Sequence, residues 1–257
     1  MARSARPKGP DRPAALPPEQ RTVGQLVAES IRLYGAHFPR ALPLGLVVAA
    51  VNQVSLGLGR EETTAVLVLA APVFTLAFAY AAQLVAERSA HLRSWIVALG
   101  VGTLVFLPAA LLFAWFALAG VLWLGLLGLA VPAAIVEGTS FTGSLRRGLA
   151  LGRVDYVHAA GSLATLVVLF VLARLGLALL LESQADNTVR VAIFLADAVL
   201  GPLLFLGGAL LYLDQDARLR SSGRRSRRKE RDADVSHADD AHGEGSPDAP
   251  RQPRATA

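Results

Sequence analysis

WIVALGVGTLVFLPAALLFAWFALAGVLWLGLLGLAVPAAIV, residues 95–136, contains no charged side chain. As one straight helix at 1.5 Å per residue it would be about 63 Å long. A bilayer offers about 30 Å of hydrocarbon. The run therefore predicts two spans joined by a turn, most plausibly near 114–120. Phe113, Trp115, Phe116 and Trp123 would then form an aromatic girdle at one membrane–water interface.

The next stretch, VPAAIVEGTSFTGSLRRGLALGRVDYVHAAG (131–161), leaves the apolar run at Glu137. A Ser/Thr-capped amphipathic segment follows, and Tyr156 and His158 lead into a second apolar run. That order reads as membrane, membrane surface, membrane. Arg146, Arg147 and Arg153 mark the surface segment as cytoplasmic, because cytoplasmic loops carry the excess of basic residues.

Working outward, the pattern predicts an all-α polytopic helical bundle of six spans. They fall at about 39–58, 63–86, two within 95–136, 157–181 and 189–213. Residues 22–37 form an amphipathic interfacial helix capped by Thr22. The predicted organisation is a disordered basic tail at 1–20, a membrane domain at 21–217 and a disordered charged tail at 218–257. The first tail has too many prolines and too few apolar residues to offset the entropy of ordering. It has no apolar core of the kind a signal peptide needs.

Composition agrees. The chain is 53% hydrophobic over 257 residues with net charge +5, and its basic residues are almost all Arg, a bias that points to a bacterial genome. With both ends inside, that side collects the N-terminal basic residues, Arg88, Arg93, the three arginines above and the cluster from 218. The other side receives Arg60 and Arg190 beside Glu61, Glu62, Glu182 and Asp186. The expected location is the cytoplasmic membrane, with both termini in the cytoplasm. There are no cysteines, which excludes disulfides and thiol chemistry.

A shift of 118 residues superposes Thr22 on Ser140, Leu33 on Leu151, Phe38 on Tyr156 and Arg40 on His158. Both copies are a capped amphipathic helix running into a span through an aromatic–x–basic lead-in. Residues 88–100 are a shorter third candidate.

Few residues could carry chemistry. Arg174 and Asp197 lie inside the fifth and sixth spans, each about eight residues from the same membrane face, so an ion pair is expected. A charge at mid-membrane costs about 2.5–3.5 kcal/mol on insertion scales. The pair either fixes helix packing or marks a substrate or proton site. Asn52, Gln53 and Gln83 are the other polar interior candidates; such amides more often join helices, at about 0.6 kcal/mol per contact. Glu137, Arg146, Arg147, Arg153, Tyr156 and His158 are interfacial. Asp214 and Asp216 read as a solvated helix end. No residue set suggests catalysis, a cofactor or a metal. Expected partners are membrane lipids, with anionic headgroups at the C-terminal basic cluster, and a membrane-protein partner or second copy of the chain. Nucleic acid is not expected.

Three stretches resemble a bacterial integral-membrane family related to the glycerophosphoryl diester phosphodiesterase membrane domain. They are TVGQLVAESIRLYGAHFPRAL (22–42), VEGTSFTGSLRRGLALGRVDYVHAAG (136–161) and GALLYLDQDARLR (208–220). The resemblance implies a six-helix membrane domain of largely unknown function. The phosphodiesterase barrel of some relatives has no counterpart in this chain, so that activity does not carry over. The expected role is structural, regulatory or in assembly, and non-enzymatic. A small-solute transporter or channel is the first alternative, and a lipid-modifying membrane enzyme the second. Convergence of residues 52, 83, 174 and 197 on one hydrated pocket would favour transport.

Overall fold

The computed structural model describes residues 17–243, and these fold into an all-α bundle. After a short turn of 3-10 helix come α1 (Val23–Ala36), α2 (Phe38–Ser55), α3 (Arg60–Ala86), α4 (Leu92–Trp115) and α5 (Ala117–Leu127). Then follow α6 (Ala130–Glu137), α7 (Phe141–Val154), α8 (Tyr156–Leu180) and α9 (Asp186–Gly243). Among these residues, those up to Arg218 form one compact unit, and those from Leu219 form another. Residues 219–243, within the expected tail, continue α9 to Gly243. The remaining tail expectations fall on 1–16 and 244–257, outside the described residues.

The uncharged run does break where two spans require it. Phe116 separates α4 from α5 with φ −145° and ψ 89°. Trp115 and Phe116 are exposed, and Arg60 at the start of α3 stacks over Trp115 at 5.3 Å. The indole of Trp123 instead turns inward and donates to the Val105 carbonyl at 2.9 Å. A second break at Gly128–Leu129 divides α5 from α6, and Gly138, at φ +64°, ends α6 in the left-handed conformation that glycine adopts without strain.

Among the described residues, five helical stretches are long and apolar enough to cross a membrane: Arg60–Ala86, Leu92–Trp115, Ala117–Glu137, Tyr156–Leu180 and the first part of α9. The expected sixth, α2, does not reach that standard. It has 18 residues and includes Arg40, Asn52 and Gln53. It nevertheless runs along the unit together with α1. Arg21, just before α1, donates to Asp214 at 3.0 Å, whereas Asn52, near the end of α2, donates to Asp197 at 2.9 Å. Those carboxylates are 17 residues apart on α9, about 25 Å at helical rise. Together α1 and α2 carry the chain over that distance. Arg218 donates to the Arg21 carbonyl at 2.9 Å, so the chain enters and leaves this unit at the same end.

The 118-residue echo holds at the level of elements. α1 and α7 each have 14 residues, and α1 shifted by 118 falls on α7 end to end. Thr22 caps α1 with a reciprocal Gln25 bond, and Ser140 caps α7. Leu26, Ser30 and Tyr34 are buried on α1; their shifted counterparts Ser144, Gly148 and Gly152 are buried on α7. The third candidate at 88–100 has no such helix, because α4 begins at Leu92 and runs straight on.

Small residues set the helix spacing. A Cβ on Gly45 would strike the carbonyl oxygen of Ala198 on α9, and one on Gly102 would strike Thr75 on α3. Gly148 and Gly152 of α7 lie against Ala130 and Leu126, so α7 packs antiparallel to α5 and α6. Close approach of this kind drives helix association where burial from water cannot.

Candidate functional site

Two polar centres are built into the described unit. The first lies toward the end marked by Arg60 and Trp115. Arg174 Nε on α8 is 3.1 Å from Asp197 Oδ1 on α9, and Asn52 Nδ2 on α2 donates to Asp197 Oδ2. The Asp197 side chain is 1% exposed, that of Arg174 28%. The guanidinium also lies 5.8 Å from the Phe170 ring. Three helices are thus joined through one buried carboxylate, which pairs with a guanidinium and accepts a hydrogen bond from an amide. Gln53 and Gln83 take no part and form no side-chain hydrogen bond among the described residues.

The second centre occupies the opposite end and joins α6, α7, α8, α9 and the segment before α1 through two linked groups. In one, Arg147 of α7 holds Glu137 at 2.7 Å and Asp216 at 2.6 Å, and the buried Tyr212 hydroxyl donates to Glu137 at 2.8 Å. Burial disfavours the charge on Arg147, but Glu137 and Asp216 outweigh it and raise the pKa above its ordinary value. In the other, Arg218 pairs with Asp155 at 2.6 Å, approaches His158 Nε2 at 3.3 Å and holds the Arg21 carbonyl. Asp155 also caps α8 through the His158 backbone N–H at 3.1 Å. Gln215 donates to the Asp155 carbonyl at 3.2 Å.

Asp214 and Asp216 are therefore not a solvated helix end. They are 0% and 6% exposed, and each is met by an arginine from a distant part of the chain. The signal was the spacing Tyr212–x–Asp214–x–Asp216–x–Arg218, four polar positions on a helix that continues below an apolar span. Of the interfacial candidates, Glu137, Arg147 and His158 enter this centre. Arg146 and Arg153 stay exposed, and Tyr156 donates to the Leu122 carbonyl at 3.1 Å.

Between the two centres lies a cavity of about 340 Å³. Its walls come from α2, α3, α4, α5, α8 and α9, with Phe74, Phe78, Phe106, Phe113, Phe170 and Phe205 prominent. Asn52 is the one polar side chain among its lining residues. The chain matches no family model, no curated protein and no solved structure. What fold and site define is a class: an all-helical protein with several helices long and apolar enough for a multi-pass membrane protein.

Proposed function

We propose that this is a non-enzymatic integral protein of the cytoplasmic membrane with a structural, regulatory or assembly role. The observation that carries this is how the polar interior is used. Asn52 and Arg174 both bind Asp197, and apart from Asn52 the cavity beside them is lined by apolar side chains and two glycines. A solute pathway needs polar groups turned toward water; here they are turned toward each other. The end carrying Arg21, Arg147 and Arg218 is the cytoplasmic one by the distribution of basic residues. There the basic stretch after Arg218 meets anionic headgroups, each charge contributing about 1 kcal/mol. A second copy of the chain or another membrane protein is the partner. Kinship with the phosphodiesterase-related membrane family belongs to the same proposal and rests on the three stretches quoted above.

The absence of cysteine makes one experiment direct. Single cysteines are introduced by Glu61→Cys, Arg88→Cys, Arg153→Cys, Asn52→Cys and Phe106→Cys and probed in sealed vesicles with a membrane-impermeant thiol reagent. Position 61 should react from outside, 88 and 153 from inside, and 52 and 106 from neither. Labelling of 52 and 106, or solute uptake by reconstituted vesicles, would establish the transporter reading instead.

A further inference from the structure

The cavity between α3, α4, α8 and α9 is too apolar to hold water and too large to be a packing defect. A buried water needs two to four polar partners, and this wall supplies Asn52, already bonded to Asp197. Its volume of about 340 Å³ lies within the range of ligand pockets, about 300–1,000 Å³. Left empty, six phenylalanine rings would forfeit dispersion contacts on one side. Leu67, Phe74, Phe106, Leu163 and Phe170 line it and are each partly exposed, so it opens sideways between helices. On the membrane reading, what lies outside that opening is hydrocarbon.

The cavity also has a direction. On α3 it extends from Leu67 to Phe78, about 16 Å at helical rise and about half the hydrocarbon thickness. Its polar corner is Asn52, next to Asp197 and, through Phe170, to Arg174. Asp197 is the one carboxylate paired with Arg174 among the described residues, and Arg174 remains partly exposed. A guanidinium with donors to spare beside an apolar slot matches a molecule with one hydrocarbon chain and an anionic end.

We propose that this cavity binds a single acyl chain whose carboxylate or phosphate end sits at Arg174. Such an end could belong to a free fatty acid or to a phospholipid contributing one of its chains. The site goes beyond the structural role above but rests on the same membrane placement, which the cysteine labelling tests separately.

The experiment uses the full chain in membrane vesicles with two photoreactive probes, a diazirine-bearing fatty acid and a phosphatidylglycerol with the diazirine on one chain. Cross-linked positions are mapped by mass spectrometry. Saturable cross-links at Phe106, Phe170 and Phe205, displaced by unlabelled competitor, are expected with at least one probe. The probe that saturates at lower concentration identifies the source. Ala110→Phe fills the cavity and should lower these cross-links at least five-fold, as should Val167→Trp if the first variant fails to fold. Arg174→Gln should weaken competition by charged chains more than by a fatty alcohol. Non-saturating labelling spread evenly over exposed positions such as Leu69 and Leu180 would show ordinary surrounding lipid and overturn the proposal. Cross-links unchanged by Ala110→Phe in a folded protein would do the same.

Discussion

Asn52 and Asp197 are joined by a 2.9 Å hydrogen bond across 145 residues of chain, and the same carboxylate faces Arg174. One acidic side chain therefore fixes the relative placement of α2, α8 and α9. The two outer partners can be changed separately, which makes the arrangement testable.

Asp197→Leu should destabilise the protein by about 2.5–3.5 kcal/mol, the cost of leaving Arg174 without its partner in hydrocarbon. The double variant Asp197→Leu with Arg174→Leu should recover most of that loss. Reversible unfolding in bicelles measures both. A double variant as unstable as the single would mean that the carboxylate acts on Asn52 and packing rather than on the arginine.

Gly45→Val places a branched side chain against the Ala198 backbone, which cannot yield as a flexible side chain would. A loss above about 2 kcal/mol is expected, in the overpacking range. Gly35→Ala meets nothing within 4 Å and should be neutral or stabilising by about 0.4–1 kcal/mol. The two melting temperatures, compared in one detergent, check the contrast.

Arg147 spans Glu137 and Asp216 with two different nitrogens. Arg147→Lys keeps the charge but cannot reach both carboxylates with a planar fork. It should recover less than half of the loss caused by Arg147→Ala, which is about 1.5–3 kcal/mol for hydrogen bonds to charged groups. Tyr212→Phe should cost about 1 kcal/mol in the wild-type background and much less in Arg147→Ala. Chemical unfolding of the four proteins gives the coupling directly; additive losses would separate Tyr212 from the Arg147 group.

Arg218→Ala removes the contacts to Asp155 and to the Arg21 carbonyl at once. Amide exchange should then quicken in α1 while α3 and α4 keep their protection. Equal quickening throughout would mean that the contact supports the whole bundle.

Much of the fold could be read from apolar run lengths. The break near 116 follows from the mismatch between 63 Å of helix and about 30 Å of hydrocarbon, a constraint no packing can override. Caps at Thr22 and Ser140 could be read because their chemistry is local. Arg174 and Asp197 stood out because charge within an apolar run is costly. The end cluster did not stand out: Asp214, Asp216 and Arg218 are common residues at a helix end. Their burial depends on Arg21 and Arg147 arriving from elements 193 and 69 residues away. The cavity was equally hidden, since its walls are ordinary span residues and its existence depends on helix spacing. The count of six also met a limit, because α2 runs along the unit in concert with α1 rather than qualifying on apolar length alone.

The bond between Arg21 and Asp214 links positions 193 residues apart. At synthesis rates of about 5–20 residues per second, the ribosome needs on the order of 10–40 s to produce the carboxylate that Arg21 binds. For that interval the start of α1 lacks this contact and is held by its packing against α2 and α8. The arginine at the front of the chain thus works as a latch that closes late, in the same stage as the Arg147–Asp216 and Arg218–Asp155 pairs, and a truncation that stops before Asp214 should leave α1 more open to protease.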